Sequence, residues 1–301
     1  TTGDALVGAE GEDGTWGGAS VSFPRIQGAD AVGTVVRVGD GVTHSLIGRR
    51  VIIDGWLRDW NDPLNREKAG YFGSECDGGY AQYTKVSHQQ VHPVDTTMSD
   101  AELATFACSY VTAENMLNRA AVTDEDTVLI TGASGGVGSA LIQLANRRGA
   151  KCVALCGAGK ADAVKAVGPL AVIDRASANL GSALHDAIGK DSVDVVADVV
   201  GGVLWPQLIN ALTRGGRYTC AGAIGGPIVE FDLRTFYLRD LTFTGATVPP
   251  PGVFQDLIGY IERDEIQPLL AATYPLEELH TAQQAFIDKR HVGNIVVEPF
   301  V

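Results

Sequence analysis

The sequence predicts an α/β chain in two parts: a mostly β first part, then a doubly wound parallel sheet that begins near residue 110. Three observations carry that prediction. Up to residue 86 the apolar runs are short, β-branched and separated by Gly-, Pro- and Asp-rich turns. From Thr127 to Ala246 strand patterns and helix patterns alternate, the signature of βαβ units covered on both faces. The first of those strands runs into a glycine turn that opens an amphipathic helix.

Taken in order, residues 1–25 are Gly-rich and acidic and read as a loop or surface segment. Ala31–Val38 and Arg50–Ile53 are strand-like, residues 54–79 form a long polar loop, and Tyr80–Val86 resumes strand character. Ser99-Asp100-Ala101-Glu102 is a capping box, and the helix it opens carries Leu103, Phe106, Ala107, Met116 and Leu117. The alternating series then runs: strand 127–131, helix 136–148, strand 151–156, helix 159–167, strand 171–173, helix 177–188. It continues with strand 193–197, helix 203–213 and strands 217–221 and 241–246. The tail has helix patterns at 252–263 and 276–289 and a strand at 294–298.

At 301 residues the chain is long enough for about two domains. Hydrophobic residues are 45% and charged residues 20%, a globular balance. The net charge of −13 repels a polyanion, so no nucleic-acid partner is expected. No apolar run reaches the ~20 residues of a membrane span, and the first residues lack the basic and apolar regions of a signal peptide. The five cysteines are scattered, with no C-x-x-C pair, which fits reduced thiols in a cytoplasmic protein.

The chemistry sits at Thr131-Gly132-Ala133-Ser134-Gly135-Gly136-Val137-Gly138. Glycines let a backbone approach a pyrophosphate, and a helix N-terminus supplies amide donors and a positive dipole end. The turn around Gly135 is therefore expected to bind a dinucleotide. The same glycines fit a short-chain dehydrogenase, but no tyrosine after the turn is followed four residues later by lysine, so that family is rejected. An NAD site places a carboxylate about 20 residues past the turn. Here the second strand ends Cys156-Gly157-Ala158-Gly159-Lys160, and Arg175 follows the third strand. A site made of Gly157, Lys160 and Arg175 would repel nothing on a 2′-phosphate and would pair with it, so NADP(H) is the expected cofactor.

Further motifs span the chain. They are Gly28-Ala29-Asp30-x-x-Gly33-x-Val35, Gly48-x-Arg50-Val51, Gly78-Gly79-Tyr80-Ala81-x-Tyr83, Asp198-Val199-Val200-Gly201-Gly202, Gly215-Gly216-Arg217 and His291-Val292-Gly293-Asn294. With them the sequence resembles the medium-chain dehydrogenase/reductase superfamily, in particular its zinc-free quinone oxidoreductase (zeta-crystallin-like) branch. The resemblance implies a GroES-like catalytic domain over 1–109, a Rossmann NADP-binding domain over 110–250, and a C-terminal segment, 251–301, returning to the catalytic domain. It implies a cofactor in the cleft between the domains and a homodimer formed through the edge strand 241–246. It also implies one or two strands and a loop ahead of a segment like 1–30, so residues are expected to precede Thr1.

By the same resemblance Gly136 and Val137 would hold the pyrophosphate, and Thr112, Ala221, Gly222, Ala246 and Thr247 would line the nicotinamide. Val200 and Gly201 would lie on the cofactor ribose, and Asn294 would reach the cofactor from the tail. Alcohol dehydrogenases of the superfamily carry His-Glu where this chain has Ala29-Asp30. Ala29 has no donor atom and Cys108 alone cannot hold a zinc that needs three protein ligands, so no metal is expected. Without a Lewis acid, the expected reaction is hydride donation to a small-molecule quinone or α,β-unsaturated carbonyl. Tyr110 is the candidate proton donor, and a packed tyrosine is the competing reading. Trp56 and Trp60 could wall a substrate or cap the core. An alcohol dehydrogenase and a non-enzymatic nucleotide-binding protein remain the alternatives.

Overall fold

A computed structural model describes residues 21–299, so the expected surface segment at 1–20 lies outside the described residues. In chain order the elements open with β1 (Val32–Thr34), β2 (Arg50–Ile53), β3 (Trp56–Leu57), β4 (Gly70–Tyr71), β5 (Val91–Pro93), α1 (Asp100–Leu103) and α2 (Ala107–Arg119). Then follow β6 (Thr127–Ile130), α3 (Gly136–Arg147), β7 (Lys151–Cys156), α4 (Ala161–Lys165), β8 (Ala171–Asp174), α5 (Leu180–Ile188), β9 (Val193–Asp198) and α6 (Trp205–Asn210). The rest are β10 (Leu212–Cys220), α7 (Leu233–Leu238), β11 (Thr242–Gly245), α8 (Gly252–Glu262), β12 (Leu270–Pro275), α9 (Leu279–Asp288) and β13 (Asn294–Glu298). The chain forms two compact units: Thr1–Cys108 with Pro250–Asp264 and Leu270–Val301, and Ser109–Pro249 with Glu265–Leu269.

The first unit is built on an antiparallel sheet in the order β1-β2-β5, with a two-stranded β3–β4 ladder and a parallel β12–β13 pair. β1 is shorter than the alternating run 31–38, although Val35 still donates to the Arg49 carbonyl at 3.0 Å before the chain turns away. Residues 80–86 pair with no strand among the described residues and Tyr83 is exposed, so period-two alternation there does not become a ladder. The capping box forms: Ser99 Oγ accepts from the Glu102 amide at 3.2 Å, and Glu102 Oε2 accepts from the Ser99 amide at 2.7 Å. The helix stops early, because Thr105 Oγ1 donates to the Glu102 carbonyl at 2.8 Å and the chain re-enters helix only at Ala107. The long loop 54–79 is ordered by its β3–β4 ladder, by Lys68 Nζ on Asp59 at 2.6 Å and by Glu75 on the Tyr71 amide at 2.7 Å.

The first unit also holds a half-buried histidine. His92 on β5 stacks on Phe254 of α8 with ring centroids 4.6 Å apart, and its buried Nε2 has no hydrogen-bond partner among the described residues. Burial pushes its pKa down to about 4. The folded value lies below the unfolded one, so the neutral imidazole's contribution is complete above about pH 6.5 and is lost as pH falls toward 4. His92→Phe is therefore expected to remove about 2 kcal/mol of the stability that the wild type loses between pH 7.5 and 4.5. Urea melts of both proteins at the two pH values measure this; an unchanged pH difference would refute it.

The second unit is a six-stranded sheet in the order β11-β10-β9-β6-β7-β8, with every neighbouring pair parallel. The order reverses between β6 and β9, the switch point at which such sheets open a crevice beyond their strand C-termini. Its core packs Leu129, Val153, Leu155, Val196, Leu208 and Leu212 from strands and helices alike. Burying each such side chain contributes about 1.5–3 kcal/mol, which is why the central strands read as continuous apolar runs. On one flank Trp205 meets the rings of Tyr218, Phe231 and Phe243 edge-on, at 4.9, 5.6 and 5.7 Å. No helix among the described residues is long and apolar enough to cross a membrane.

Candidate functional site

β6 delivers Thr131 to the switch point, and Gly132 adopts a left-handed φ of 57° that turns the chain toward α3. Gly135 stands at the N-cap of α3 with no side chain capping it, so first-turn amides point out of the helix toward any bound anion. Gly138 is compulsory: a Cβ there would stand 2.2 Å from the Gly132 carbonyl oxygen. The sequence motif thus becomes a tight turn with an open helix N-terminus, because only hydrogen fits where helix and turn meet.

The centre of the turn is Asp198, fully buried at the end of β9. Its Oδ1 accepts from Thr131 Oγ1 at 2.5 Å and from the Val200 amide at 2.8 Å, and its Oδ2 accepts from the Tyr218 hydroxyl at 2.6 Å. The Gly201 amide donates to the same carboxylate at 3.1 Å, and Thr131 Oγ1 accepts from the Val199 amide at 3.0 Å. Asp198 therefore ties the Val199–Gly202 loop to the glycine turn. The acid that closes β9 just ahead of Val199-Val200-Gly201-Gly202 is the sequence signal for this role.

At the far end of the crevice β7 stops at Cys156. The Arg175 amide donates to the Cys156 carbonyl at 2.8 Å, and a Cβ on Gly157 would lie 3.7 Å from Arg175 Nε. Burial, and then the neighbouring Arg175 charge, lower the Lys160 pKa, so the two cations occupy one locality. No carboxylate stands in the run 156–161 that ends the strand.

The residues expected at the nicotinamide converge at the C-terminal ends of β9, β10 and β11. The Ala221 amide donates to the Asp198 carbonyl at 3.2 Å and the Ala246 amide to the Cys220 carbonyl at 2.8 Å. Gly222 lies against Val199, whose carbonyl oxygen would be 2.9 Å from a Cβ at 222. α2 joins this set through Asn115, whose Nδ2 donates to the Thr247 carbonyl at 3.2 Å, one turn along the helix from Thr112.

Two expected residues are placed differently. Tyr110 is fully buried, and its hydroxyl donates to the Gln267 carbonyl at 2.7 Å while accepting from Gln143 Nε2 at 2.8 Å. Burial pushes its pKa up, away from proton donation. The proton that Tyr110 was expected to deliver is committed to the backbone, and the competing reading, a packed tyrosine, describes this geometry. Asn294 lies in the first unit, where its Nδ2 donates to the Thr105 carbonyl at 3.2 Å.

The first unit holds a second cluster that sequence reasoning missed. Asp30 Oδ1 accepts from the Cys108 amide at 2.5 Å, and burial raises its pKa. Burial raises the pKa of Tyr71 as well, and Cys108 and Asp30 beside it add to that. Asp54, pushed up to about 6 by burial, accepts from the Trp56 amide at 3.0 Å and faces Arg58 at 3.8 Å. Trp56 is 5% exposed and meets Tyr71 edge-on at 4.7 Å, so it caps the core here. Among the described residues, no group of three or more His, Cys, Asp or Glu side chains could hold a metal ion.

Comparison with known proteins agrees with this architecture. Residues 5–96 match the alcohol dehydrogenase GroES-like domain, and residues 136–263 match the zinc-binding dehydrogenase domain. The chain is 29% identical to acryloyl-coenzyme A reductase of Metallosphaera sedula over 92% of its own length and 84% of the relative's. A crystal structure from Sinorhizobium meliloti 1021, provisionally described as an alcohol dehydrogenase, superposes with a TM-score of 0.90 at 46% identity, covering 93% of this chain and 77% of that one. The 2-octenoyl-CoA carboxylase reductase CinF, solved with NADP and 2-octenoyl-CoA, superposes with a TM-score of 0.85 at 28% identity, covering 90% and 68%. With a GroES-like first unit, a six-stranded dinucleotide-type sheet and these relatives, the chain belongs to the medium-chain dehydrogenase/reductase superfamily and is an oxidoreductase.

Proposed function

We propose that the chain is an NADP(H)-dependent, zinc-independent oxidoreductase of the quinone oxidoreductase branch that passes hydride to a quinone or an α,β-unsaturated carbonyl. The observation that carries the reading is the Lys160–Arg175 pair at the end of β7, where an NAD site would carry an acid. Gly135, Gly136 and Val137 would hold the pyrophosphate by backbone amides, Gly157, Lys160 and Arg175 the 2′-phosphate, and Val200 and Gly201 the ribose. Thr112, Ala221, Gly222, Ala246 and Thr247 would orient the nicotinamide. When bound, NADPH supplies the hydride; the carbonyl of such a substrate itself carries the developing charge, so the residues mainly position and exclude water. Support comes also from CinF, solved with NADP and an enoyl thioester, and from the acryloyl-coenzyme A reductase relative.

The residues present do not fit a catalytic zinc. Ala29 has no donor atom, and one oxygen of Asp30 already accepts the Cys108 amide. The likeness to the Sinorhizobium protein favours the rival reading, an alcohol dehydrogenase. Metal analysis separates the two: one tightly bound zinc per chain, needed for turnover, would overturn the proposal. Lys160→Ala and Arg175→Ala are each expected to weaken NADPH about 10-fold and leave NADH nearly unchanged, the loss of one charge-assisted contact. Equal losses for both cofactors would refute the assignment. A protein that binds NADPH and reduces no quinone or enone in a broad panel would instead be a nucleotide-binding sensor.

A cytoplasmic homodimer completes the reading. β11 is the edge strand of its sheet, and Ile228, Leu233, Tyr237 and Leu238 near it are exposed apolar side chains. Among the described residues no disulfide joins any of the five cysteines, which suits a reducing compartment. Sedimentation is expected to give two chains per particle, and Leu238→Asp to shift it toward one.

A further inference from the structure

The segment after β11 leaves the sheet at its edge and has no ladder beyond it, so something other than strand pairing must define its path. Two side chains of α2 do so. Asn115, 1% exposed, donates through Nδ2 to the Thr247 carbonyl at 3.2 Å. Arg119, one turn further on, donates through one terminal nitrogen to the Gly245 carbonyl at 2.8 Å and through the other to the Val248 carbonyl at 3.2 Å. Its Nε donates to Asn115 Oδ1 at 3.2 Å, which locks the pair together. Three carbonyls within four residues are thus gripped from one helix.

The helix itself is tethered. Arg217 of β10 donates to the Ala120 and Ala121 carbonyls, each at 2.8 Å, and pairs with Asp126. Arg217 thereby ties the C-terminal end of α2 to β10. Thr112, Asn115 and Arg119 recur at spacings of three and four and share one side of the helix. α2 therefore joins β10 at one end to the Gly245–Val248 backbone through its polar stripe.

We propose that Asn115 and Arg119 are positioning residues for the nicotinamide end of the site, acting by holding Ala246 and Thr247 in place through the carbonyls around them. The inference rests on the proposed NADP(H) function and adds to it: the pair holds backbone that follows β11, at one edge of the sheet, whereas Lys160 and Arg175 follow β7 and β8 at the other. A guanidinium is required, since its planar fork reaches two carbonyls at once and an ammonium on a flexible stem reaches one.

The test compares two ligands on the purified full chain. One is NADPH; the other is 2′-phospho-ADP-ribose, which has every part of the cofactor except nicotinamide. The wild type is expected to bind both. Asn115→Ala and Arg119→Met are expected to bind 2′-phospho-ADP-ribose within twofold of wild type and NADPH about 10-fold more weakly, the effect of one lost hydrogen-bonding contact. They are also expected to lose most of the nicotinamide fluorescence change that accompanies binding. Arg119→Lys should restore part of the NADPH affinity, and it replaces Arg119→Met if circular dichroism shows that variant unfolded. Equal weakening of both ligands, or no weakening of either, overturns the positioning role while leaving the cofactor reading intact. A wild type that binds neither ligand overturns both.

Discussion

Asp198→Ala is expected to lower the melting temperature of the second unit by about 10 °C, a loss of about 3–5 kcal/mol. The carboxylate is completely buried and accepts from two hydroxyls and two backbone amides. Alanine removes every acceptor and leaves those donors inside a dry core, where each unsatisfied group costs about 1–3 kcal/mol. Water entering the vacated space would recover part, so the total stays below the simple sum. Tyr218→Phe removes one donor together with its need for an acceptor and should cost only about 1 kcal/mol. Asp198→Asn keeps the shape but turns part of the acceptor into a donor facing amides, so it should fall between the two. Calorimetric melts of the three variants decide the matter. An Asp198→Ala protein within 1 kcal/mol of wild type would show that the network carries no weight.

Gly138→Ala is expected to abolish cofactor binding within the accessible range, a loss of more than about 100-fold. The added methyl would meet the Gly132 carbonyl oxygen at 2.2 Å and the Ala133 Cα at 2.7 Å, both backbone atoms that cannot swing aside. α3 must then slide away from the turn, and the amides that face the pyrophosphate lose their alignment. Overpacking of this kind costs about 1–3 kcal/mol in stability as well. Gly135→Ala is the informative companion. Its φ is −88° and its Cβ would sit 3.4 Å from the Gly132 oxygen, a contact the turn can hold. That variant should fold with wild-type stability or slightly better, since alanine narrows the unfolded ensemble, and should still bind NADPH more weakly because the methyl stands where a phosphate approaches. Titration calorimetry on both proteins measures the split. A Gly138→Ala protein that binds NADPH like the wild type would remove the glycine turn from the site.

Much of the fold was legible because it depends on pattern. The capping box at Ser99, the apolar β6 and β7 and the glycine turn all obey rules that act over a few residues. β12 and the β3–β4 ladder were not legible. The first is a parallel strand whose partner lies two dozen residues away, and the second is a pair of two-residue strands inside a polar loop. The run 80–86 misled in the opposite direction, since alternation creates a strand only where a partner's backbone is at hand.

The site divides the same way. Gly135, Gly136, Lys160 and Arg175 could be proposed from the sequence because the proposal rests on position along one βαβ unit. Tyr110 could not be settled, because whether a hydroxyl serves a substrate or a carbonyl depends on what folding sets opposite it, here Gln267 and Gln143. Asp198 and the Asn115–Arg119 pair are of the same kind: Thr131 lies 67 residues from Asp198, and Thr247 lies 132 residues from Asn115. Chain order alone was enough for the dinucleotide-type sheet and its glycine turn, which follow from hydrophobic period and backbone freedom. Which acid ties that turn to its neighbouring loop, and which amide and guanidinium hold the Gly245–Val248 backbone, was decided only in three dimensions, because a hydrogen bond depends on direction and dryness, and neither is written in the spacing of residues.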